Sequence, residues 1–139
     1  MISYNIKKEN KKKMYLISVE DHFSSAHQLR EYQGKCENVH GHNWKIKAIL
    51  ASTKLDSLGM VLDFTILKQV LKEITNILDH KMINDVPPFD KINPSAENIA
   101  FWIYQQMCLE IEGKYPNIKV YQIDVWESEK SCASYLANR

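Results

Sequence analysis

The chain has 139 residues, of which 45% are hydrophobic and 25% charged, a balance typical of one globular domain with its own core. Its formal net charge of +1 gives no reason to expect nucleic acid or a membrane surface as the main partner. No apolar run is long enough to cross a membrane and no signal-peptide pattern is present, so we expect a cytoplasmic protein. Three cysteines at irregular spacing argue against a disulfide framework.

The first thirteen residues differ in composition from the rest of the chain, because they contain five lysines and one glutamate. We expect residues 1–13 to form a flexible basic N-terminal arm and residues 14–139 to form a single domain. A solvated tail is the favoured interpretation of the arm, ahead of a binding function.

Two strands are predicted next, over residues 14–27 and 39–51. The first strand carries a mostly apolar row of alternating side chains that ends in His27. In the second strand, His40 and His42 head an otherwise apolar row, because strand side chains alternate between faces. If the two strands pair, these three imidazoles can converge.

Three neutral histidines form a zinc set that leaves the fourth tetrahedral position open, as in catalytic zinc sites. The alternative is that each histidine is a partly buried, hydrogen-bonded side chain, since His-Gly-His alone is a weak motif. Cys36 precedes His40 by four residues. It can be a base or nucleophile activated by a nearby cation, a small core side chain, or a fourth ligand that would make the zinc site structural.

Two helices and two strands complete the predicted order β-β-α-α-β-β. The first helix begins after the N-cap Asp63 and ends near Asp79, with apolar side chains at a 3.6-residue period. The second helix begins near Asn93, with Pro94 at the first helical position, and Gly113 ends it. Strands are predicted over residues 118–127 and 132–137, joined by a short turn.

Two further positions carry chemistry with alternatives that stay open. Asp79 and His80 can be an acid–base pair, or a helix C-cap pair that faces water. Glu127 shares the predicted face of Tyr121, Ile123 and Val125, where a carboxylate must be paired or bind something; alternatively the strand ends at Trp126. Two other cysteines, Cys108 and Cys132, are expected to be inert packing residues.

Several motifs in a fixed order resemble the family of 6-pyruvoyl-tetrahydropterin synthase and 6-carboxytetrahydropterin synthase. The resemblance covers residues 14 to about 136. Its elements are Phe23-Ser24-Ser25-Ala26-His27, Cys36 to His42, Gly59-Met60-Val61-Leu62-Asp63-Phe64, Leu78-Asp79-His80, Asn93-Pro94-Ser95-Ala96-Glu97-Asn98, and Glu127. Ser95 stands where threonine is usual, and Met82-Ile83 replace an aromatic-leucine pair.

The resemblance implies an α+β tunnelling fold (T-fold), in which two helices cover one face of a four-stranded antiparallel sheet. It also implies a homohexamer built as a dimer of trimers, with active sites between subunits. In such an assembly Asp79, His80 and Glu127 would line a shared cleft.

The resemblance also implies the roles of the site residues. His27, His40 and His42 match the ligands of a Zn²⁺ ion. Cys36 matches the catalytic cysteine, and Asp79 and His80 match the acid–base pair that supports it. Glu127 matches the carboxylate that anchors the pterin ring of a pterin triphosphate substrate.

Three residues separate Cys36 from His40, which resembles the bacterial 6-carboxytetrahydropterin synthases of the queuosine pathway. The implied lyase reaction converts 7,8-dihydroneopterin triphosphate to 6-carboxy-5,6,7,8-tetrahydropterin, acetaldehyde and triphosphate. One alternative is 6-pyruvoyl-tetrahydropterin synthesis, which eliminates triphosphate without cleaving the side chain. Another is a non-enzymatic, zinc-stapled binding module. Arg30, Lys35 and Lys81 are triphosphate-binding candidates by proximity only.

Overall fold

A four-stranded antiparallel sheet with two helices forms the fold in the computed structural model, which describes residues 13–34 and 37–137. The sheet order is β1-β2-β3-β4, so chain order and spatial order agree. The strands are β1 (Tyr15–His27), β2 (His40–Ser52), β3 (Lys119–Ser128) and β4 (Ser131–Leu136). The helices are α1 (Phe64–Leu78) and α2 (Ala96–Ile111), with a short 3₁₀ turn at Ile83–Asp85 between them. The predicted fold class is confirmed.

The core lies between the helices and one face of the sheet. Along β2, Trp44, Ile46, Ala48 and Leu50 are buried, as the alternating pattern predicted. Apolar side chains of both helices are buried in this core, namely Leu67, Leu71, Ile74 and Leu78 of α1 and Ile99, Ala100, Ile103, Met107 and Ile111 of α2. No helix of the described residues is long and apolar enough to span a membrane. The predicted arm over residues 1–13 lies, except for Lys13, outside the described residues and stays a prediction.

The start of α1 agrees with its sequence signal, whereas the start of α2 does not. The Asp63 side chain accepts a hydrogen bond from the Thr65 N–H at 2.8 Å, as expected of an N-cap. The prediction of Pro94 as the first residue of α2 was wrong, because the helix begins at Ala96. Ser95 is the N-cap, since its hydroxyl accepts the Asn98 N–H at 3.2 Å. The Pro94 carbonyl lies before the helix and accepts a hydrogen bond from His27 Nδ1.

Strand β3 departs from simple alternation at a bulge against β2, and its register against β4 shifts again between Trp126 and Ser128. Ile49 pairs with Gln122 and Leu50 pairs with Val120, so Tyr121 is an extra residue on β3. Val120 therefore occupies the core row, and the prediction that Tyr121 shares the face of Ile123 was wrong. The strand continues to Ser128, which excludes the alternative that it ends at Trp126.

Leu71→Ala is expected to lower the free energy of unfolding by about 2–5 kcal/mol, because it leaves a cavity in a fully buried layer. The matched control is Leu109→Ala on α2, where the side chain is 72% exposed and the expected change is within about 0.5 kcal/mol. Urea unfolding of both variants at one protein concentration measures the difference. Equal midpoint shifts would contradict the assignment of the core.

Candidate active site

Three histidines converge where β1 ends and β2 begins. His27 and His40 lie directly opposite each other in the β1–β2 register, and His42 follows two residues along the same face. The Nε2 atoms of His27 and His40 are 3.0 Å apart. One ligand atom from each histidine and one from Glu127 all lie within 4.8 Å of one another. This His-His-His-Glu group could bind a metal ion.

The outer ring nitrogens explain why the inner ones are available as ligands. His27 Nδ1 lies 2.8 Å from the Pro94 carbonyl oxygen, and His40 Nδ1 lies 2.8 Å from the Asn38 carbonyl oxygen. A carbonyl can only accept, so both Nδ1 atoms carry a proton, and in the neutral form of each ring the lone pair is then on Nε2. Two lone pairs facing each other at 3.0 Å repel unless a cation or proton lies between them. This pair of Nε2 ligand atoms therefore fits a divalent cation.

The third histidine leads to the same conclusion. His42 Nε2 is buried and makes no hydrogen bond of acceptable geometry among the described residues, although Glu127 Oε1 lies 2.9 Å away. Burial lowers the pKa of His42, and positive charge on His27 or His40 would lower it further, while Glu127 opposes this. A neutral imidazole is the form that binds a metal.

Glu127 reaches this group from β3. Its Oε1 lies 3.1 Å from His27 Nε2 and 3.8 Å from His40 Nε2, in addition to the short contact with His42. The carboxylate is thus beside the histidines, where it can complete a four-ligand set or hold a substrate next to a three-ligand set. The alternative of a turn residue facing water does not apply.

Asp79 and His80 form a pair at the end of α1. Asp79 Oδ1 accepts the Ser24 N–H at 2.9 Å, and Asp79 Oδ2 lies 2.9 Å from His80 Nδ1. These two contacts lower the pKa of Asp79, the Ser24 bond contributing most. The carboxylate therefore orients His80 so that its Nε2 is available for proton transfer.

Among the described residues, the Asp79–His80 pair does not belong to the histidine group of its own chain. It attaches to the outer side of the edge strand, where the His80 N–H donates to the Ser24 carbonyl at 2.7 Å. His27 and His42 instead lie against the buried Trp44 on the core face of the sheet. The His80 side chain is 81% exposed, as the C-cap alternative requires within a single chain.

A cavity of about 280 Å³ opens beside the histidines. Its lining residues are His27, Leu29, Ser95, Ala96, Glu97, Glu127, Ser131, Cys132 and Ala133. Glu97 is a second carboxylate at this cavity, and the sequence analysis gave it no role beyond its place in the motif from Asn93 to Asn98. A larger cavity of about 920 Å³, at the opposite end of the sheet, contains none of the predicted site residues.

The predictions for the three cysteines and for Lys35 had different outcomes. Cys36 and Lys35 lie outside the described residues, so their predicted roles stay predictions. Cys108 packs against the core, as expected. Cys132 is exposed on β4, so its prediction as a packing residue was wrong; the short edge strand leaves its side chain uncovered.

The other two triphosphate-binding candidates, Arg30 and Lys81, donate to main-chain carbonyls. The Arg30 guanidinium donates to the carbonyls of Phe89 and Ile92 at 2.7 and 3.2 Å, and Lys81 Nζ donates to Ile77 at 3.0 Å. Arg30 therefore acts within this chain as a loop clamp.

A sequence profile described as 6-pyruvoyl tetrahydropterin synthase matches residues 16–138. A 6-carboxy-5,6,7,8-tetrahydropterin synthase of Synechocystis is 34% identical over 131 residues, covering 91% of this chain and 96% of the relative. A 6-pyruvoyl tetrahydrobiopterin synthase of Dictyostelium discoideum is 32% identical, covering 81% of this chain and 89% of the relative. Each match thus extends over most of this chain and most of the relative.

Solved structures agree at the level of the fold. The 6-pyruvoyl tetrahydropterin synthase of Caenorhabditis elegans superposes with a TM-score of 0.77 and 24% sequence identity. The superposition covers 91% of this chain and 97% of that one. The strand order and the helices on one face are therefore shared.

Proposed function

The chain belongs to the 6-pyruvoyl tetrahydropterin synthase family, and from this premise we propose that it is a zinc-dependent 6-carboxytetrahydropterin synthase. The proposed reaction converts 7,8-dihydroneopterin triphosphate and one water to 6-carboxy-5,6,7,8-tetrahydropterin, acetaldehyde and triphosphate, as a step of queuosine biosynthesis. The observation that carries the proposal is the convergence of His27, His40 and His42 with Glu127 beside a cavity.

Zinc is the metal that best fits the proposed role. Three imidazole Nε2 atoms are a common ligand set of catalytic zinc, and the two Nδ1–carbonyl bonds hold two of these rings in orientation. When bound, zinc would supply Lewis acidity that polarises oxygens of the substrate side chain and makes neighbouring C–H bonds more acidic.

Glu127 is proposed to anchor the pterin ring. A carboxylate accepts two parallel N–H bonds from a planar, amidine-like edge, and the pterin ring presents such an edge. Its position between the histidines and the cavity would place the substrate side chain beside the metal. Glu97, on the same cavity, is a second acceptor within reach of the ring.

Proton transfer is assigned to Cys36 and to His80 supported by Asp79. Acid–base groups must reach the reacting carbons, and in this reaction protons move between side chain and ring without an external redox partner. Asp79 holds the Nδ1 proton of His80, so His80 Nε2 is the atom that would exchange protons with substrate.

We propose that each active site is shared between two copies of the chain. His80 faces away from the histidines of its own chain and is largely exposed, so it is placed to serve a neighbouring site. β1 and β4 are the two edges of the described sheet, and edge strands can pair with another copy. The trimers and stacked hexamer implied by the family would pair them in this way.

The choice between the two reactions rests on the spacing of Cys36 and His40. Relatives named for either reaction have similar identities, 34% and 32%, so overall similarity does not separate them. The alternative function is therefore 6-pyruvoyl-tetrahydropterin synthesis.

Incubation of the zinc-loaded protein with 7,8-dihydroneopterin triphosphate is expected to release acetaldehyde and 6-carboxytetrahydropterin in equal amounts. Chromatography of the pterins, with acetaldehyde trapped as a hydrazone, measures the ratio, and chelator-treated protein is the control. Triphosphate with a pyruvoyl pterin and no acetaldehyde would establish the alternative. Absence of all these products would refute the proposed function.

Two inactive variants, His42→Ala and His80→Ala, are expected to restore activity when co-expressed as mixed oligomers. Random mixing makes about a quarter of the shared sites complete, since each needs an intact metal half and an intact acid–base half from different copies. The turnover per site of the mixture measures this. A mixture no more active than its components would contradict a shared site.

A further inference from the structure

Two asparagine side chains act on the main chain that follows His27. The Gln28 N–H donates to Asn84 Oδ1 at 2.9 Å, and Asn84 Nδ2 donates to the Gln28 carbonyl at 2.8 Å. The Arg30 N–H donates to Asn93 Oδ1 at 2.8 Å, and Asn93 Nδ2 donates to the Arg30 carbonyl at 3.0 Å. Each amide thus pairs with one residue in both directions, as a neighbouring strand would.

The two pairs continue the outer hydrogen-bond row of β1 beyond its last residue. The Ala26 N–H donates to the Lys81 carbonyl at 3.1 Å, so residues 26, 28 and 30 are all held from the same side. This alternate spacing is that of an edge strand. The side-chain amides therefore keep the chain extended past the point where regular pairing stops.

The opposite side of the same segment is held by Glu37. The Leu29 N–H donates to Glu37 Oε1 at 3.0 Å, and the Glu37 N–H donates to the Leu29 carbonyl at 3.0 Å. Gln28 Nε2 also donates to the Glu37 carbonyl at 2.7 Å. Residues 28–30 are thus fixed from both sides although they belong to no strand.

This fixed segment borders the candidate active site. It begins directly after His27, and Leu29 lines the cavity with His27 and Glu127. The Pro94 carbonyl that orients the His27 ring follows Asn93 in the chain. Asn84 is 8% exposed and Pro94 is buried, so the loop that supplies these groups is itself anchored.

We propose that Asn84 and Asn93 are positioning residues that hold His27 and the Leu29 wall of the cavity in their working arrangement. The proposal rests on the proposed function for its catalytic consequence. Both amides act through His27 and Leu29, with no contact to substrate assigned to them. A buried amide with donor and acceptor both in use tolerates no replacement that removes one of them.

The test variant is Asn84→Asp, which keeps the shape and the acceptor but puts a carboxylate oxygen against the Gln28 carbonyl. Asn117→Asp, at an exposed turn, is the matched control. In Asn84→Asp we expect faster amide hydrogen exchange over residues 28–30 and about tenfold faster loss of zinc to a chelator. We expect kcat to fall by roughly 100-fold with KM changed less, since a small misplacement of reacting groups slows chemistry.

Faster amide exchange with an unchanged rate of zinc loss and unchanged kcat would overturn the positioning role. Amide exchange identical to that of Asn117→Asp would show that the Asn84 bonds do not hold residues 28–30. Asn93→Asp repeats the test at Arg30 if Asn84→Asp does not fold. The unsubstituted protein supplies a further check, because unprotected amides at Gln28 and Arg30 would also overturn the proposal. Amide hydrogen exchange and zinc loss are measured without turnover. A failure of the proposed reaction is therefore distinguishable from a failure of Asn84 and Asn93 to hold this segment.

Discussion

His42→Ala is expected to lose both zinc and activity. The His42 ring supplies one of three Nε2 atoms at the site, and this atom has no hydrogen-bond partner within the described ranges, so its removal leaves two imidazoles and a carboxylate. We expect the zinc content to fall from about one ion per chain to a small fraction, because Glu127 is assigned to the substrate and only two protein ligands then remain where a catalytic zinc site needs three. Turnover should fall by at least about 10⁴-fold, since the Lewis acid and the substrate position are lost together.

The matched control for this variant is His22→Ala. His22 lies on β1 but is exposed and outside the histidine group. It should keep its zinc content and its activity within about twofold, as is usual for surface substitutions. Metal analysis after gel filtration, together with the product assay, measures both quantities. Full zinc occupancy in His42→Ala would contradict the assignment of the ligand set.

Cys36→Ala is expected to keep zinc and lose turnover. If Cys36 is a proton-transfer group, its removal leaves all three histidines in place, so zinc content should stay at about one ion per chain. General acid–base catalysis contributes about 10²–10⁴-fold, and we expect kcat to fall by that factor. KM should change much less, because the cysteine is assigned to chemistry rather than to substrate binding.

Cys108→Ala is the matched control, because Cys108 is a free thiol on α2 that does not line this cavity. It should retain activity. Loss of zinc from Cys36→Ala would favour the structural alternative, in which the thiolate is a fourth ligand and the protein is a zinc-stapled binding module. That outcome would leave the pairing of Asp79 with His80 without a catalytic purpose.

Much of the fold could be predicted because its signals are local. Burial alternates along β2 as its residue types do, and Asp63 caps α1 through its neighbour Thr65. Where a local signal had a competitor, the prediction failed. Pro94 and Ser95 can both begin a helix, and the hydroxyl bond of Ser95 decided the boundary. The bulge at Tyr121 has no local signal, because it depends on the register against β2.

The candidate site divides in the same way. The pattern of His27, His40 and His42 and their order relative to the other motifs identified the histidine group and the family from the sequence alone. The position of Glu127 among these histidines depended on the tertiary structure, since it lies 100 residues from His27 in the chain. Strand alternation could place its carboxylate on the inner face but could not give its distance from another strand's end.

The supporting contacts were decided only by packing. No sequence rule predicts that the Pro94 carbonyl orients His27, that Asn84 and Asn93 pair with the main chain at 28 and 30, or that Ser24 holds Asp79. These bonds join segments more than 50 residues apart, and each depends on how the loops around α1 and α2 pack on the sheet edge. The sequence by itself determined which elements form and which side chains are candidates for the chemistry, because periodicity, caps and motif order are local. The tertiary structure decided how those side chains are oriented, because orientation depends on hydrogen bonds between distant segments.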